Sequence, residues 1–515
     1  MSRPRCLWLP CVLAVAFLSC KPVPHSVAVT ESSPPAVPGP VLTSEPALRL
    51  PTPCAQTPAT TKPGAVVGPK AASPCPAGKS SAAAATSGAR PDSGSVRMTL
   101  MPETELVLRR SADVLNMILR LEGVSAAATQ KRPPVDLALV IDRSGSMAGQ
   151  KILKVKQSAL AMLKTMRPED HVTLISYAGA VKTHLVRRAV DDDGRALLRQ
   201  EILRMEASGS TALGPALSRA LRLLERAERR ENVLAHVLLL SDGRANVGET
   251  RPSVLSDGAA RSFHKGISLS TLGVGVDFND ILMIALATQG GGRYHFVERD
   301  DQIPAVLQQE LAGLSTAVAR HITVRLELAQ GVTVRQVYGY ATTAVAGGTS
   351  IRVGALRAGQ TRNIVVSLNI PSTAHEKLQV GSFQLQFRDV NQGGAVTSLT
   401  KSLVMDTSDS ANAVARSVRA EVAARVAEVE GASHLSRATT MFSRGSYDRA
   451  QGTLDKAVRR LETQYRRFPS NRVRRMIDSL KKARSRLHFA RTAPAPARRR
   501  YIKRGRADPY DAFMN

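Results

Sequence analysis

The chain has 515 residues, enough for three or four domains at roughly 100–200 residues each. Hydrophobic residues make up 43% and aromatics 4%, and 71 Lys+Arg against 42 Asp+Glu leave a formal net charge of +29. This balance excludes a uniformly acidic or wholly disordered chain. The lack of a second apolar stretch near the ~18 residues a spanning helix needs excludes a multi-span membrane protein.

At the amino end, Arg3 and Arg5 precede an apolar run from Cys6 to Leu18, broken by Pro10. This pattern predicts a secretory signal over residues 1–20, too short for a stable membrane span. Phe17-Leu18-Ser19-Cys20 at its end resembles the cleavage box of bacterial lipoproteins, although such boxes usually carry Leu in place of Phe17 and a small residue in place of Leu18. The resemblance implies lipidation of Cys20, which would anchor the chain to a membrane of the cell envelope. Lys21 in place of Asp implies outer-membrane or surface sorting. A plain cleaved signal with an incidental cysteine is the alternative.

Residues 21–94 hold about half of the 29 prolines, mixed with Ala, Ser, Thr and Gly. Such a segment cannot bury enough apolar area to offset its ordering entropy, so a disordered tether is expected. Cys54 and Cys75 within it could close a disulfide in an oxidising compartment. No cysteine follows them.

Val96–Leu108 and Val114–Glu122 read as two or three strands, too few for an independent fold. From Pro134 to Ser315, apolar strands alternate with amphipathic helices. The strands are Val135–Asp142, His171–Tyr177, Val233–Ser241, Ile267–Val276 and Tyr294–Val297. The helices are Ile152–Met166, Arg195–Met205, Leu213–Arg230 and Ile281–Thr288. Near-continuous apolar strands imply a sheet covered on both faces, and the alternation predicts a doubly wound, mostly parallel α/β domain over 134–315. Six further segments between Ile322 and Val404 alternate with period two. The economical arrangement is an antiparallel β-sandwich of residues 95–132 and 318–406, with the α/β domain inserted in it.

Residues 411–490 turn helical. Val414, Val418, Val422, Val426 and Val429 form a stripe at helical spacing. Gly445-Ser446-Tyr447 divides two helical halves between Ala432 and Leu461 in a manner similar to one tetratricopeptide helix pair. Residues 491–515 read as a disordered basic tail. From Ala411 onward there are about 25 Lys+Arg against about 9 acidic residues, so over half of the net charge lies in the last fifth of the chain.

The strongest chemical signal is Asp142-Arg143-Ser144-Gly145-Ser146-Met147, where an apolar strand ends. A carboxylate and two hydroxyls spaced two apart can face one crevice beyond the carboxyl end of a strand, where open α/β sheets place ligands. Gly209-Ser210-Thr211 and Leu240-Ser241-Asp242-Gly243 fall at comparable positions further on. Together these residues resemble the von Willebrand factor type A family. Asp142, Ser144 and Ser146 match its DxSxS motif, Thr211 the threonine of its second loop and Asp242 the aspartate of its third. Leu272–Asn279 and Gly290–Tyr294 also resemble later elements of bacterial members akin to inter-α-trypsin inhibitor heavy chains and calcium-activated chloride channel regulators. The resemblance implies a metal-ion-dependent adhesion site holding Mg²⁺, or Mn²⁺ or Ca²⁺, through hard oxygen ligands. It further implies a protein partner that offers an Asp or Glu to the ion.

Weaker signals have simpler readings. Asp191-Asp192-Asp193-Gly194 lacks the spacing and distal Glu of an EF-hand, and fits a turn that caps the following helix. His295 has no second histidine nearby. There is no P-loop, HExxH, GxSxG or CxxC pair. The basic carboxyl-terminal region reads as a solvated face, with anionic envelope surfaces the next alternative. Nucleic acid is disfavoured by the export signal and the scarcity of aromatics. The expected protein is therefore an exported, lipid-anchored binding protein and not an enzyme. A scaffold that binds through its basic helices, and an envelope hydrolase with an unrecognised site, are the alternatives.

Overall fold

The computed structural model describes residues 94–124, 133–228 and 233–514. The signal and nearly all of the tether, with Cys20, Cys54 and Cys75, lie outside the described residues. Chain order begins with β1 (Val96–Pro102), β2 (Leu106–Leu108) and β3 (Asp113–Gly123), of which β1 and β3 pair antiparallel. Leu115, Met117, Leu119 and Leu121 alternate onto one buried face of β3, as a period of two requires.

The inserted domain follows. Its sheet contains β4 (Val135–Asp142), β5 (His171–Tyr177), β6 (Val181–Ala189), β7 (Leu234–Ser241), β8 (Ile267–Val274) and β9 (Gly291–Val297), in the order β6-β5-β4-β7-β8-β9. All neighbours are parallel except the edge strand β6, which runs antiparallel to β5. β6 is absent from the strands expected from sequence, because none of its residues is fully buried and its apolar positions are interrupted by Lys, His and Arg. The connections carry α1 (Gln150–Thr165), α2 (Asp192–Leu203), α3 (Leu213–Arg226), α4 (Pro252–His264), α5 (Asp280–Gln289) and α6 (Ile303–Ser315). Odd and even strand positions face opposite layers. Leu137, Leu139 and Ile141 of β4 pack with α1, α2 and α6, whereas Ala138 and Val140 pack with α3, α4 and α5.

The chain then forms β10 (Ala317–Leu328), β11 (Thr333–Val337), β12 (Ala341–Val345), β13 (Gly348–Arg357), β14 (Thr361–Ile370), β15 (Lys377–Asp389) and β16 (Ala395–Ser408). With the first three strands they build a four-stranded sheet, β1-β3-β14-β11, and a six-stranded one, β12-β13-β10-β15-β16-β2. Met117 and Leu119 of the first sheet share one apolar core with Val324, Phe383 and Leu385 of the second. The α/β domain is inserted between β3 and β10 of this two-sheet body. The pairing is antiparallel apart from β16 with β2.

Five helices end the chain: α7 (Ala411–Arg416), α8 (Ala420–Ser443), α9 (Tyr447–Arg467), α10 (Asn471–Ala490) and α11 (Ala495–Met514). The valine stripe does not belong to one helix. The chain breaks between α7 and α8, where Val418 bridges Thr104, and only Val422, Val426 and Val429 are buried, against Ile118 and Val365 on the outer face of the four-stranded sheet. The expected helix pair is part of a larger unit, in which Leu435, Leu454, Leu461, Ile477 and Leu480 join α8, α9 and α10 around one core. Among the described residues no helix is long and apolar enough to cross a membrane.

The tail expected over 491–515 is corrected by α11. Lys503, Ala507, Tyr510 and Met514 recur every three or four residues and are buried, but a lysine in the stripe and arginines around it hide the period. The fixed position of α11 has an electrostatic cause. Arg499 lies 3.1 Å from Asp277, Arg500 3.1 Å from Glu298, and Arg506 2.8 Å from Asp280. Gly505 permits close approach to α8, since a Cβ there would collide with Thr439.

Candidate metal centre

β4 delivers Asp142 to the end of the sheet, and a one-turn 3₁₀ segment over Gly145–Met147 reverses the chain toward α1. Asp142 Oδ1 accepts the Ser144 backbone N–H at 2.8 Å, which fixes the turn. Its Oδ2 accepts the Ser241 hydroxyl at 2.8 Å. Gly145 N–H donates to the Gly209 carbonyl at 2.9 Å and Ser208 N–H to the Arg143 carbonyl at 2.7 Å, so the first and second loops are tied together. The second loop meets the third through Thr211 N–H to Asn246 Oδ1, 2.8 Å, and Asn246 N–H to the Thr211 carbonyl, 3.1 Å.

These bonds bring together all five residues singled out from the sequence. Asp142, Ser144, Thr211 and Asp242 are buried, and Ser146 is exposed at the crevice mouth. Ser144 Oγ and Ser146 Oγ are 3.1 Å apart, and the Ser146 hydroxyl donates to Asp242 Oδ1 at 2.7 Å. Their common focus is marked by Gly243. A Cβ there would lie 3.0 Å from Thr211 Oγ1, 3.5 Å from Ser146 Oγ and 3.7 Å from Ser144 Oγ. A side chain at that position would fill the cradle.

Burial pushes the Asp142 carboxyl above the usual carboxylate range, and the charge of Asp242 adds to this, although the bonds from Ser144 and Ser241 oppose it. Two buried carboxylates in one crevice create demand for a cation. Lys151 of α1 answers part of it, with its ammonium 2.6 Å from Asp242 Oδ2. The donor set also fits a divalent ion. Ser146 spends its proton on Asp242 and accepts the Ser144 hydroxyl on one lone pair, which leaves the other as a hard neutral donor. Among the described residues, no three His, Cys, Asp or Glu side chains gather as a metal-binding group. The case for an ion therefore rests on the hydroxyls beside the two carboxylates.

Lys151, Ser241 and Asn246 are additions that the motif did not supply. A lysine in the first turn of a helix opposes the macrodipole, which is a sequence-level sign of a tertiary partner. The weaker signals lie elsewhere. Asp191 caps α2 by accepting Gly194 N–H at 2.7 Å. His295 is bonded to Glu310 at 2.7 Å, away from the crevice.

Comparison with known proteins bears on the α/β domain as a whole. Residues 136–309 match the family model for the von Willebrand factor type A domain. The chain is 27% identical over 201 residues to the uncharacterised protein YfbK of Escherichia coli (strain K12), covering 39% of this chain and 34% of that one. It is 30% identical over 204 residues to the human inter-alpha-trypsin inhibitor heavy chain H3, covering 38% of this chain and 22% of that one. The match thus spans about a third of the first relative's length and a fifth of the second's. A solved von Willebrand factor type A protein from Catenulispora acidiphila superposes with a TM-score of 0.62 at 16% identity, covering 79% of this chain and 93% of that one. That likeness extends the shared fold beyond the α/β domain. Proteins of this family typically mediate protein–protein adhesion, and their domains commonly hold a divalent ion.

Proposed function

We propose, from the premise that residues 136–309 are a von Willebrand factor type A domain, that the chain binds a protein partner through a divalent ion in the Asp142 crevice. The observation that carries this reading is the convergence of Ser144, Ser146 and Thr211 hydroxyls on Gly243, between two buried carboxylates. Asp142 and Asp242 would supply the charge that holds Mg²⁺, Mn²⁺ or Ca²⁺, and the three hydroxyls would complete the protein's share of ligands. The ion would supply Lewis acidity toward a partner's Asp or Glu. Hydroxyls add no charge and Lys151 offsets one carboxylate, so the protein itself leaves the site receptive to an anionic ligand. Asp142 is held by Ser144 and Ser241 and keeps the turn in shape, whereas Thr211 reaches in from a separate loop.

Calorimetric titration of Mg²⁺ and Mn²⁺ into the full chain tests this reading, with circular dichroism as folding control. Asp142→Ala removes one of two carboxylates, so ion binding is expected to vanish while the fold persists on its apolar sheet. Thr211→Ala is expected to weaken partner capture more than ion affinity. Wild-type protein without divalent binding at millimolar concentration, or an Asp142→Ala variant that unfolds, defeats the assignment. For partner identity, capture from cell-envelope extracts is compared with and without EDTA. We further propose that the chain is exported and anchored at the envelope through acylated Cys20, supported by the Arg3–Cys20 pattern. Fractionation of a Cys20→Ala variant at high salt is the test: release to the soluble fraction or loss of processing is expected, and unchanged membrane fractionation with unchanged mobility defeats the anchor.

A further inference from the structure

At the end of the parallel sheet opposite the Asp142 crevice, the inserted domain meets the two-sheet body across a cavity of about 60 Å³. A water needs ~10–15 Å³ of such space, so the cavity can take several waters or one small polyatomic ion. Three guanidiniums line it, and each comes from a different sheet: Arg293 from β9, Arg357 from β13 and Arg362 from β14. Arg362 is 6% exposed, and one of its terminal nitrogens reaches the Met514 carbonyl and sulfur, both at 3.4 Å. The Nε atoms of Arg293 and Arg362 are buried without a hydrogen-bond partner. Among the described residues no carboxylate forms an ion pair with any of the three.

Burial and the charges of Arg293 and Arg362 push the Arg357 guanidinium below its usual range. The acid on the cavity wall, Glu310, is already engaged. Burial would raise its carboxyl, but the His295 bond and the charges of His295 and His236 hold it at about 2. Asp511 lies further out and also acts on Arg293, while burial pushes its own carboxyl up. Among the described residues the three guanidiniums therefore face at most two carboxylates, which leaves at least one of them without a described counter-charge in an environment where unpaired charge is costly. Gly291 and Gly292 present backbone without side chains along the same wall.

We propose that this cavity binds a small tetrahedral oxyanion of the phosphate or sulfate class, clamped by Arg293, Arg357 and Arg362. Planar guanidinium forks suit such oxygens, and a charge-assisted bond from each would satisfy the orphaned donors. Because the three arginines belong to three sheets, the ion would pin the inserted domain to both sheets of the body at one point. This role is independent of the metal centre.

Inorganic phosphate and sulfate titrated calorimetrically into the full chain, at constant ionic strength in chloride, are expected to bind one ion per chain and raise the melting temperature. Arg357→Gln and Arg293→Gln should each weaken binding by about tenfold or more. Both should leave the phosphate-free melting temperature near that of wild type. These half-buried positions carry the test, because Arg362→Gln risks unfolding the sandwich. Lys482→Gln on the exposed face of α10 should keep wild-type affinity. Absence of saturable binding for both anions overturns the proposal. So does phosphate affinity that survives both arginine substitutions, or that is lost in Lys482→Gln.

Discussion

Lys151 stands in the first turn of α1, where the macrodipole disfavours a cation. Its ammonium nonetheless lies 2.6 Å from Asp242 Oδ2 and 3.2 Å from the Ser146 carbonyl. An ion entering the crevice must share Asp242 with this fixed charge. Unit charges 4 Å apart repel by ~4 kcal/mol at an effective dielectric constant of 20, and the exposed side of the crevice screens part of that. Lys151→Met should therefore tighten Mg²⁺ binding by roughly tenfold, while partner affinity falls because the ion is better neutralised by its own ligands. Calorimetry measures the first effect and partner capture the second. Weaker Mg²⁺ binding in the variant would mean that Lys151 organises Asp242 and does not compete for it. Asp142, Ser144 and Ser146 were legible in the sequence because their spacing within one tight loop is local information, whereas Thr211 and Asp242, from two other loops, were singled out by the family resemblance. Lys151 was not, because its role depends on how α1 leaves the crevice.

At the scale of elements, α11 depends on Asp280 at the start of α5. This carboxylate is buried and takes both Arg506, one terminal nitrogen of which reaches its two oxygens at 2.8 and 2.9 Å, and Lys503, 3.1 Å. The Lys503 ammonium also stands 4.2 Å over the Phe278 ring, where the aromatic face adds attraction. Burial lowers the Lys503 ammonium from its usual range, and Asp280 opposes that shift. Asp280→Ala leaves two cations without their counter-charge, a loss of about 3–5 kcal/mol for a buried pair broken from one side. The denaturant midpoint should fall accordingly, and limited proteolysis should cut within 495–514 before any other described segment. An unchanged midpoint would show that Tyr510 and Met514 hold α11 without the ion pairs. The alternating α/β units and antiparallel strands could be read from periodicity, since their apolar pattern is intrinsic to each segment. α11 could not. Its pairing residues Asp277, Asp280 and Glu298 lie over 200 positions away, and its buried stripe includes a lysine whose partner is visible only in three dimensions.

Across the whole molecule, that docking changes where the basic excess is available. Arg499, Arg500, Lys503, Arg504 and Arg506 are spent on acids of the inserted domain, so α11 contributes little free charge. α10 differs. Arg474, Arg475 and Lys482 are exposed and form no ion pair among the described residues, and Phe489 is 69% exposed. Arg475, Lys482 and Phe489 follow a spacing of seven and share one stripe, a basic face ending in an aromatic ring. A polybasic patch contributes to membrane attachment at ~1 kcal/mol per Lys or Arg near an anionic surface, independently of any lipid anchor. The three α10 cations should then be worth about 3 kcal/mol, roughly a hundredfold in partitioning. The Cys20→Ala protein should retain salt-sensitive binding to vesicles of phosphatidylglycerol and phosphatidylcholine, because exposed charges are screened over ~10 Å at 0.1 M salt. Adding Arg474→Gln, Arg475→Gln and Lys482→Gln should abolish it, whereas Arg499→Gln with Arg500→Gln should leave it close to unchanged. Sedimentation of vesicle-bound protein across a salt series separates these outcomes. Equal salt-release curves for the α10 variant and its parent would assign the exposed face of α10 to solvation alone.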